Sequence, residues 1–342
     1  MKRSLTGTRF TSQTGILQLM DDLGRALSGT RKKYMLGGGN PALLPEVASI
    51  WRSEMSALLQ DEQRFDRAIG RYDTPQGRPA FLTSVATMLN REFDWDLGED
   101  NIAVTNGSQS AFFILFNLLA GPGEDGAARK ILFPLMPEYI GYADQAIGPT
   151  DFVSYLPRIE QIDAHTHKYH IDFDTLEVTD DIAAICVSRP TNPTGNVLTD
   201  AELARLDEIA RAHDIPLIVD NAYGTPFPDI IFTGAQPIWN ENIILSMSLS
   251  KMGLPAMRTG ILVAAPEIIR TIGAMNAVLS LANGVMGQVL TERLFDTGEI
   301  LRMSRDIIRP FYRSKRDHAI ACVERSCADR FPWSIHKPEG SL

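Results

Sequence analysis

Residues 246–260 have the sequence Ser246-Met-Ser-Leu-Ser-Lys251-Met-Gly-Leu-Pro255-Ala-Met-Arg258-Thr-Gly260 and lie between two apolar runs typical of β-strands, 243–247 and 261–265. A lysine that forms an imine with an aldehyde needs such surroundings, because hydroxyl groups and a guanidinium hold a phosphate and turn residues bring the backbone close to a ligand. The alternative is that these residues form a solvent-exposed loop rich in serine and lysine, which could have the same sequence. The stretch therefore gives a hypothesis that the rest of the chain must support.

The composition of the 342 residues is that of a globular protein, with 44% hydrophobic and 22% charged residues. A net charge of −9 argues against a nucleic-acid partner, because phosphate binding at scale needs a basic face. The three cysteines, Cys186, Cys322 and Cys327, have no metal-type spacing and predict a reducing compartment, the cytoplasm. The longest apolar run, 111–120, is too short for a membrane span, and no apolar leader segment follows Met1.

Short apolar runs recur along the chain and alternate with helical patterns. Several are apolar throughout, which is typical of a sheet covered by helices on both faces. Outside the opening stretch, the predicted strands are 102–105, 130–134, 152–155, 182–188 and 216–220. Thr199-Asp-Ala-Glu202 is a capping box that predicts the start of a helix. The pattern predicts an α/β fold with a mostly parallel sheet.

Two turns could approach a ligand. Residues 106–109 connect the strand 102–105 to a buried helix, and a glycine-serine turn at a helix N-terminus exposes N–H groups that suit a phosphate. A simple N-cap at Ser108 is the alternative. Gly37-Gly38-Gly39 permits close backbone approach, but its spacing does not fit the dinucleotide pattern, and a plain turn explains it equally well.

Three histidines, His165, His167 and His170, fall in a polar connection. They have no acidic or cysteine partner at fixed spacing, so we predict a solvated loop and no metal site.

Four candidate residues lie near the carboxyl ends of predicted strands, where open α/β sheets bind ligands. Asn192, Asp220, Tyr223 and Lys251 could separately be a turn former, a helix cap, a packed aromatic and a loop lysine. Together these four residues have the functional groups that an enzyme needs to bind and use pyridoxal phosphate. The lysine supplies the imine and moves a proton, the aspartate keeps the pyridine nitrogen protonated, and the asparagine and tyrosine donate to the ring oxygen.

Several motifs identify the chain as similar to the class I/II aminotransferases of fold type I and, within them, to the bacterial valine–pyruvate aminotransferases. The resemblance runs from about residue 9 to residue 340. The motifs are Gly37-Gly-Gly-Asn-Pro41, Thr105-Asn-Gly-Ser-Gln-Ser-Ala-Phe-Phe113, Phe133-Pro, Pro137-Glu-Tyr-Ile-Gly-Tyr142, Val187-Ser-Arg-Pro-Thr-Asn-Pro-Thr-Gly-Asn196 and Asp220-Asn-Ala-Tyr-Gly224. The resemblance implies a three-layer α/β/α large domain, a smaller α/β domain and a homodimer with its site at the subunit interface.

The resemblance also implies residue roles. Lys251 would form the Schiff base, Asp220 would pair with the pyridinium, and Tyr223 would act with them in catalysis. Tyr139 would stack on the cofactor ring, and Tyr72 would reach the phosphate of the neighbouring subunit. The expected cofactor contacts are Gly107, Ser108, Gln109, Tyr139, Asn192, Asp220, Tyr223, Ser248, Ser250, Lys251, Arg258 and Tyr72. Gly39 and Asn192 would bind the substrate, and no residue would bind a metal.

The implied domain organisation is an N-terminal arm with part of the small domain at 1–45, a large cofactor-binding domain at 46–290, and the start of a truncated small domain at 291–342. Similar enzymes continue past a segment like His336-Lys-Pro-Glu-Gly340 and carry there an arginine that clamps the substrate carboxylate. Two interpretations are open: the sequence is part of a longer protein, or the protein is impaired.

The implied activity is transamination between an aliphatic amino acid, valine or alanine, and a 2-oxo acid, pyruvate or 3-methyl-2-oxobutanoate. A pyridoxal-phosphate lyase and a catalytically silent cofactor-binding protein are the alternatives, because cofactor-binding residues do not fix the reaction type.

Overall fold

The computed structural model describes residues 1–12, 14–28, 40–148, 151–328 and 330–340. The helices are α1 (Leu5–Phe10), α2 (Gly15–Ser28), α3 (Pro45–Gln60), α4 (Glu62–Gly70), α5 (Pro79–Phe93), α6 (Ser108–Leu119), α7 (Asp200–Ala212), α8 (Pro266–Ser280), α9 (Met286–Thr297), α10 (Glu299–Arg302) and α11 (Arg309–Cys327), with a π-helical segment, Met303–Ile308, between the last two. The strands are β1 (Ile102–Thr105), β2 (Gly121–Pro122), β3 (Ala128–Phe133), β4 (Phe152–Ser154), β5 (Arg158–Gln161), β6 (Thr166–His170), β7 (Ile182–Ser188), β8 (Leu217–Asp220), β9 (Ile243–Ser248), β10 (Gly260–Val263) and β11 (Ile335–His336).

The main sheet has the strand order β1-β10-β9-β8-β7-β3, and both β2 and β4 pair with β3. Neighbouring strands from β9 to β4 are parallel, whereas β10 runs antiparallel to both β9 and β1. Every strand predicted for this sheet from apolar runs is present. The prediction of an α/β fold with a mostly parallel sheet is confirmed.

Successive side chains along a central strand point to opposite faces of the sheet, so these strands contribute to two hydrophobic cores, one on each face. Leu217 and Val219 of β8 belong to the core that contains residues of α3, α5, α7 and α9. Ile218, between them, packs with residues of α6 and α8. Both faces are therefore covered by helices, which explains why the strands are apolar throughout and confirms the three-layer α/β/α arrangement.

The capping box at Thr199 is confirmed. The Thr199 hydroxyl accepts a hydrogen bond from the backbone N–H of Glu202, and the Glu202 carboxylate accepts one from the backbone N–H of Thr199. These bonds satisfy amide groups that a helix start would leave unpaired, so α7 begins at Asp200 as the sequence indicates.

The prediction of a solvated loop around the three histidines is wrong. Residues Thr166–His170 form β6, which pairs with β5 and with β11 in a second, three-stranded sheet. Lys168 in this strand is only 6% exposed because its ammonium pairs with the buried carboxylate of Glu339. Glu339, which neutralises Lys168, lies 171 positions further along the chain. The sequence around Lys168 therefore gives no local sign of burial, and the polar residues of β6 predict a loop.

The described residues contain no group of three or more His, Cys, Asp or Glu side chains that could hold a metal ion. None of their helices has the length and apolar character to cross a membrane. The domain boundaries after residues 45 and 290 stay a prediction.

Candidate active site

Three parallel strands end side by side at the candidate site. The register pairs Ser188 of β7 with Asp220 of β8, and Asp220 with Ser246 of β9. The segments that follow these strand ends carry Asn192, Tyr223 and Lys251. The chain thus brings its candidate residues to one edge of the sheet, as the carboxyl ends of parallel strands require.

Lys251 lies in the single 3-10 turn Ser250–Met252 that follows β9. Its Nζ atom is 5.0 Å from the centroid of the Tyr223 ring. Burial lowers the pKa of Lys251 to about 8, with a smaller lowering from Arg258, whereas the Asp220 carboxylate acts in the opposite direction. A substantial fraction of this lysine is therefore a neutral amine near physiological pH, which is the nucleophilic form.

Asp220 ends β8 and is half-buried. Its Oδ2 accepts a hydrogen bond of 2.6 Å from the Tyr142 hydroxyl, and its Oδ1 accepts one of 3.0 Å from the Ala222 N–H. Burial raises its pKa, and these two hydrogen bonds with the charge of Lys251 lower it. A carboxylate in such surroundings gains most from a cation placed against it, so it suits a protonated ring nitrogen.

The start of α6 forms a cradle for an anion. The helix begins at Ser108 with Gly107 as N-cap, and no side chain accepts from its first amides. The alternative in which Ser108 is the N-cap is therefore wrong. Gly107 has φ +83°, and a Cβ there would overlap with the guanidinium of Arg258. Arg258 thus lies directly against the open helix N-terminus, where a phosphate is favoured.

The strand β10 closes this cradle from the other side. Gly260 pairs with Thr105 of β1, and a Cβ on Gly260 would come within 2.7 Å of both the Gly107 carbonyl carbon and the Ser108 nitrogen. Ser248 and Ser250 adjoin the same region, where the Ser250 N–H donates to the Ser248 hydroxyl at 3.1 Å. Helix amides, hydroxyls and a guanidinium together match the acceptor-rich phosphate group of pyridoxal phosphate.

Substitution of Gly107 tests the cradle. We expect Gly107→Ala to weaken pyridoxal phosphate binding roughly 10-fold or more, because the new methyl group displaces Arg258 and strains a left-handed backbone that costs about 1–3 kcal/mol. Gly126→Ala is the matched control, since Gly126 has φ +80° and nothing within 4 Å of its added Cβ. Both variants should lose stability in chemical denaturation, but only Gly107→Ala should raise the Kd in a cofactor titration. Equal affinity in the two variants would contradict the cradle.

The remaining residues that were expected to contact the cofactor or the substrate differ in their position and exposure. Tyr139 is half-buried, its pKa is raised by burial and by Asp220 and lowered by Arg258, and its ring centroid is 5.4 Å from that of Tyr142. It therefore lies within electrostatic reach of both the acid and the cradle. Gln109 is in the first turn of α6, and Asn192 is half-buried in the loop after β7. Tyr72 lies on the surface with 82% exposure, and Gly39 falls outside the described residues.

Three residues around Asp220 had no predicted role. Tyr142 donates to the Asp220 carboxylate, Ser188 lies 3.3 Å from the Tyr142 hydroxyl, and Glu138 binds Ser188. Glu138 and Tyr142 belong to the motif Pro137-Glu-Tyr-Ile-Gly-Tyr142, of which only Tyr139 was given a role. One feature of the sequence could have indicated a role for Ser188: it is the last residue of a predicted strand, as Asp220 is, and the two strands are neighbours in the sheet.

The layered fold, the lysine and the aspartate at its strand ends, and the anion cradle define the pyridoxal-phosphate-dependent enzymes of fold type I. The sequence profile for aminotransferase class I and II matches residues 32–313. The chain belongs to this family: it is an aminotransferase, it acts on amino acids and 2-oxo acids, and its cofactor is pyridoxal phosphate.

Individual proteins that are similar to this chain are also aminotransferases. The chain is 48% identical to valine–pyruvate aminotransferase of Escherichia coli K12 over all 342 residues, which cover 81% of that enzyme. A putative amino-acid aminotransferase of Psychrobacter arcticum 273-4 has a similar structure, with a TM-score of 0.96, 44% identity and coverage of 100% of this chain and 82% of the other. Valine–pyruvate aminotransferase of Salmonella typhimurium LT2 has a TM-score of 0.84 and 46% identity, with coverage of 96% and 80%.

Proposed function

We propose that this aminotransferase exchanges amino groups between an aliphatic amino acid, valine or alanine, and a 2-oxo acid, pyruvate or 3-methyl-2-oxobutanoate. The observation that carries the proposal is the convergence of a partly neutral Lys251, the hydrogen-bonded Asp220 and the Gly107–Arg258 cradle at one edge of the sheet. The choice of substrates is supported by 48% identity over the full chain to an enzyme named for valine and pyruvate.

Bound pyridoxal phosphate supplies an aldehyde that condenses with amines and a ring that accepts electrons when its nitrogen is protonated. In the proposal, Lys251 Nζ would hold the cofactor covalently and would be released when the substrate amine takes its place. Lys251, whose pKa burial lowers to about 8, would then present an amine that moves the proton of the substrate Cα. One residue would thus anchor the cofactor and move the proton.

The remaining residues bind and orient. Asp220 would hold a positive charge on the ring nitrogen, with Tyr142 and Ala222 fixing the orientation of its carboxylate. Tyr139 would cover one ring face, and Asn192 and Tyr223 would donate to the ring oxygen. Ser108, Gln109, Ser248, Ser250 and Arg258 would bind the phosphate together with Gly107, and Gly39 and Asn192 would bind the substrate.

We also propose a homodimer in the cytoplasm. The exposed ring of Tyr72 supports the dimer, because a residue that serves the phosphate of a neighbouring subunit must lie at the surface of its own chain. The cysteines Cys186, Cys322 and Cys327 are all unpaired, which is the usual state in a reducing compartment.

Incubation of the pyridoxal-phosphate-loaded protein with L-valine and pyruvate tests the proposed function. We expect equal amounts of L-alanine and 3-methyl-2-oxobutanoate, because each amino group lost by valine is gained by pyruvate. L-aspartate with pyruvate is the control for substrate class and should react at least about tenfold more slowly, since a site that accepts aliphatic side chains would have to bury a carboxylate without a partner. Release of ammonia would indicate a lyase. A loaded protein that forms neither product would be a silent binder, which contradicts the proposal.

A further inference from the structure

A continuous line of polar side chains extends from Asp220 into the protein. The Tyr142 hydroxyl, 2.6 Å from Asp220 Oδ2, lies 3.3 Å from the Ser188 hydroxyl. The Ser188 hydroxyl in turn is hydrogen-bonded to Glu138 Oε2, and the Ser188 backbone N–H donates to Glu138 Oε1 at 2.9 Å. The side chains come from two strand ends and the segment after β3.

All three residues behind Asp220 are buried. Tyr142 is 2% exposed, Ser188 is 3% exposed and Glu138 is 8% exposed. Burial and the Asp220 charge raise the pKa of Glu138 to about 8, although two hydrogen bonds from Ser188 and one from the Tyr139 backbone lower it. Two carboxyl groups in one buried network resist simultaneous ionisation.

If all three hydrogen bonds of this line are made, they can run in only one direction, because each hydroxyl has a single proton. The single hydroxyl proton of Tyr142 is given to Asp220, so Tyr142 can only accept from Ser188. Ser188 then uses its proton on Tyr142 and can only accept from Glu138, which requires a protonated Glu138. If Glu138 is ionised, the Ser188 proton turns to Glu138, and no proton remains between Ser188 and Tyr142.

We propose that Glu138 is a positioning residue that acts as a neutral acid: by donating to Ser188 it orients the Ser188 and Tyr142 hydroxyls toward Asp220 and keeps Asp220 charged against the cofactor ring. This inference rests on the proposed pairing of Asp220 with the ring nitrogen. Three donors aligned in one direction strengthen one another and favour the ionised form of the last acceptor. Ionisation of Glu138 breaks the alignment and adds a second negative charge.

Other ionisable groups near this line do not replace Glu138. The thiol of Cys186 has its pKa raised by burial, by Glu138 and by Asp220, so it stays neutral, and burial likewise raises the pKa of Tyr139 and of Tyr142. Lys251, on the other side of Asp220, acts on Asp220 directly through its charge. Among the carboxyl and hydroxyl groups of this line, Glu138 is the one with a pKa of about 8, and Lys251, which has a similar pKa, would carry the cofactor in the loaded enzyme.

Glu138→Gln separates proton donation from simple packing. The glutamine has the same shape, accepts the Ser188 N–H through Oε1 and donates an N–H to the Ser188 hydroxyl, but it cannot ionise. Ser188→Ala keeps the acid and interrupts the line. Glu202→Gln is the control, since Glu202 is another buried glutamate, bound to Thr199 and His170 away from Asp220.

Infrared and absorption spectra of the loaded enzyme between about pH 6 and pH 10 provide the test. We expect a protonated-carboxyl band that disappears with a midpoint near pH 8 and is missing in Glu138→Gln. The cofactor absorption of wild type should change with the same midpoint, and this component should be missing in Glu138→Gln and Ser188→Ala and present in Glu202→Gln. At about pH 9 the protonated fraction of Glu138 falls to roughly a tenth, so Glu138→Gln, which still donates, should differ most from wild type there. Ser188→Ala, in which the line is always interrupted, should differ most from wild type near pH 6.

A Glu138→Gln enzyme with the infrared band and the absorption profile of wild type would overturn the inference. This failure is distinct from failure of the proposed function. In the first case the cofactor is bound and transamination proceeds with an unchanged pH profile, whereas in the second the cofactor is not held by Lys251 or valine is not converted.

Discussion

Lys251→Ala should lower the rate of valine–pyruvate transamination by at least about 10²–10⁴-fold, the usual contribution of a positioned proton-transfer group. The variant also loses the covalent link to pyridoxal phosphate, so the loss adds to that of proton transfer. The measurement is kcat/KM for L-valine with saturating pyruvate. Noncovalent cofactor binding should persist, because the Gly107–Arg258 cradle is intact.

Lys130→Ala is the matched control for this prediction. Lys130 lies in β3 and pairs with Asp181 at the surface, 2.6 Å between Nζ and Oδ2, so its removal should leave the rate unchanged. A small primary amine added to Lys251→Ala should restore part of the rate by supplying a diffusible base. A Lys251→Ala enzyme with near wild-type turnover would show that another group moves the proton.

Asp220→Asn should lower kcat about 10²–10³-fold, the usual loss when one preorganised electrostatic partner is removed from an active site. The amide has the shape of the carboxylate and can still accept from the Tyr142 hydroxyl, but it carries no charge to keep the ring nitrogen protonated. Covalent attachment through Lys251 should be retained, so the loss should appear in kcat and much less in cofactor content. Both are measured by steady-state kinetics and absorption of the loaded enzyme.

Asp229→Asn controls for loss of a partly buried carboxyl group. Burial also raises the pKa of Asp229, but this side chain pairs with Arg309, 3.1 Å away, outside the candidate site. It should affect stability and leave kcat close to wild type. If Asp220→Asn and Asp229→Asn had similar turnover, the charge at Asp220 would have no part in the reaction.

The main sheet was predictable because its strands are buried on both faces. Runs such as 182–188 and 216–220 contain almost no polar residues before their last position, which leaves few alternatives to a central strand. The position of the candidate site was predictable from the same sheet. Parallel strands end at a common edge, so residues placed after separate strands, such as Asp220 and Lys251, could be expected to converge.

The features that escaped prediction depend on contacts between distant parts of the chain. Lys168 and Glu339 form a buried ion pair that allows a lysine to lie inside the strand β6, and neither residue indicates this alone. The bonds from Ser188 to Glu138 and from Tyr142 to Asp220 join positions 50 and 78 residues apart. Local patterns do not show such pairs: the register of β7 and β8 places Ser188 beside Asp220, and the segment after β3 supplies Glu138 and Tyr142.

The central claim is that Lys251 holds the cofactor. Its most direct test is borohydride reduction of the loaded enzyme, followed by proteolysis and mass spectrometry to locate the modified lysine. We predict the added mass on the peptide that contains Lys251. Lys168 is the informative comparison, because it is more deeply buried than Lys251 and its ammonium pairs with Glu339 and donates to the Val197 carbonyl at 2.9 Å. Modification of Lys168 or of any other lysine in place of Lys251 would contradict the account.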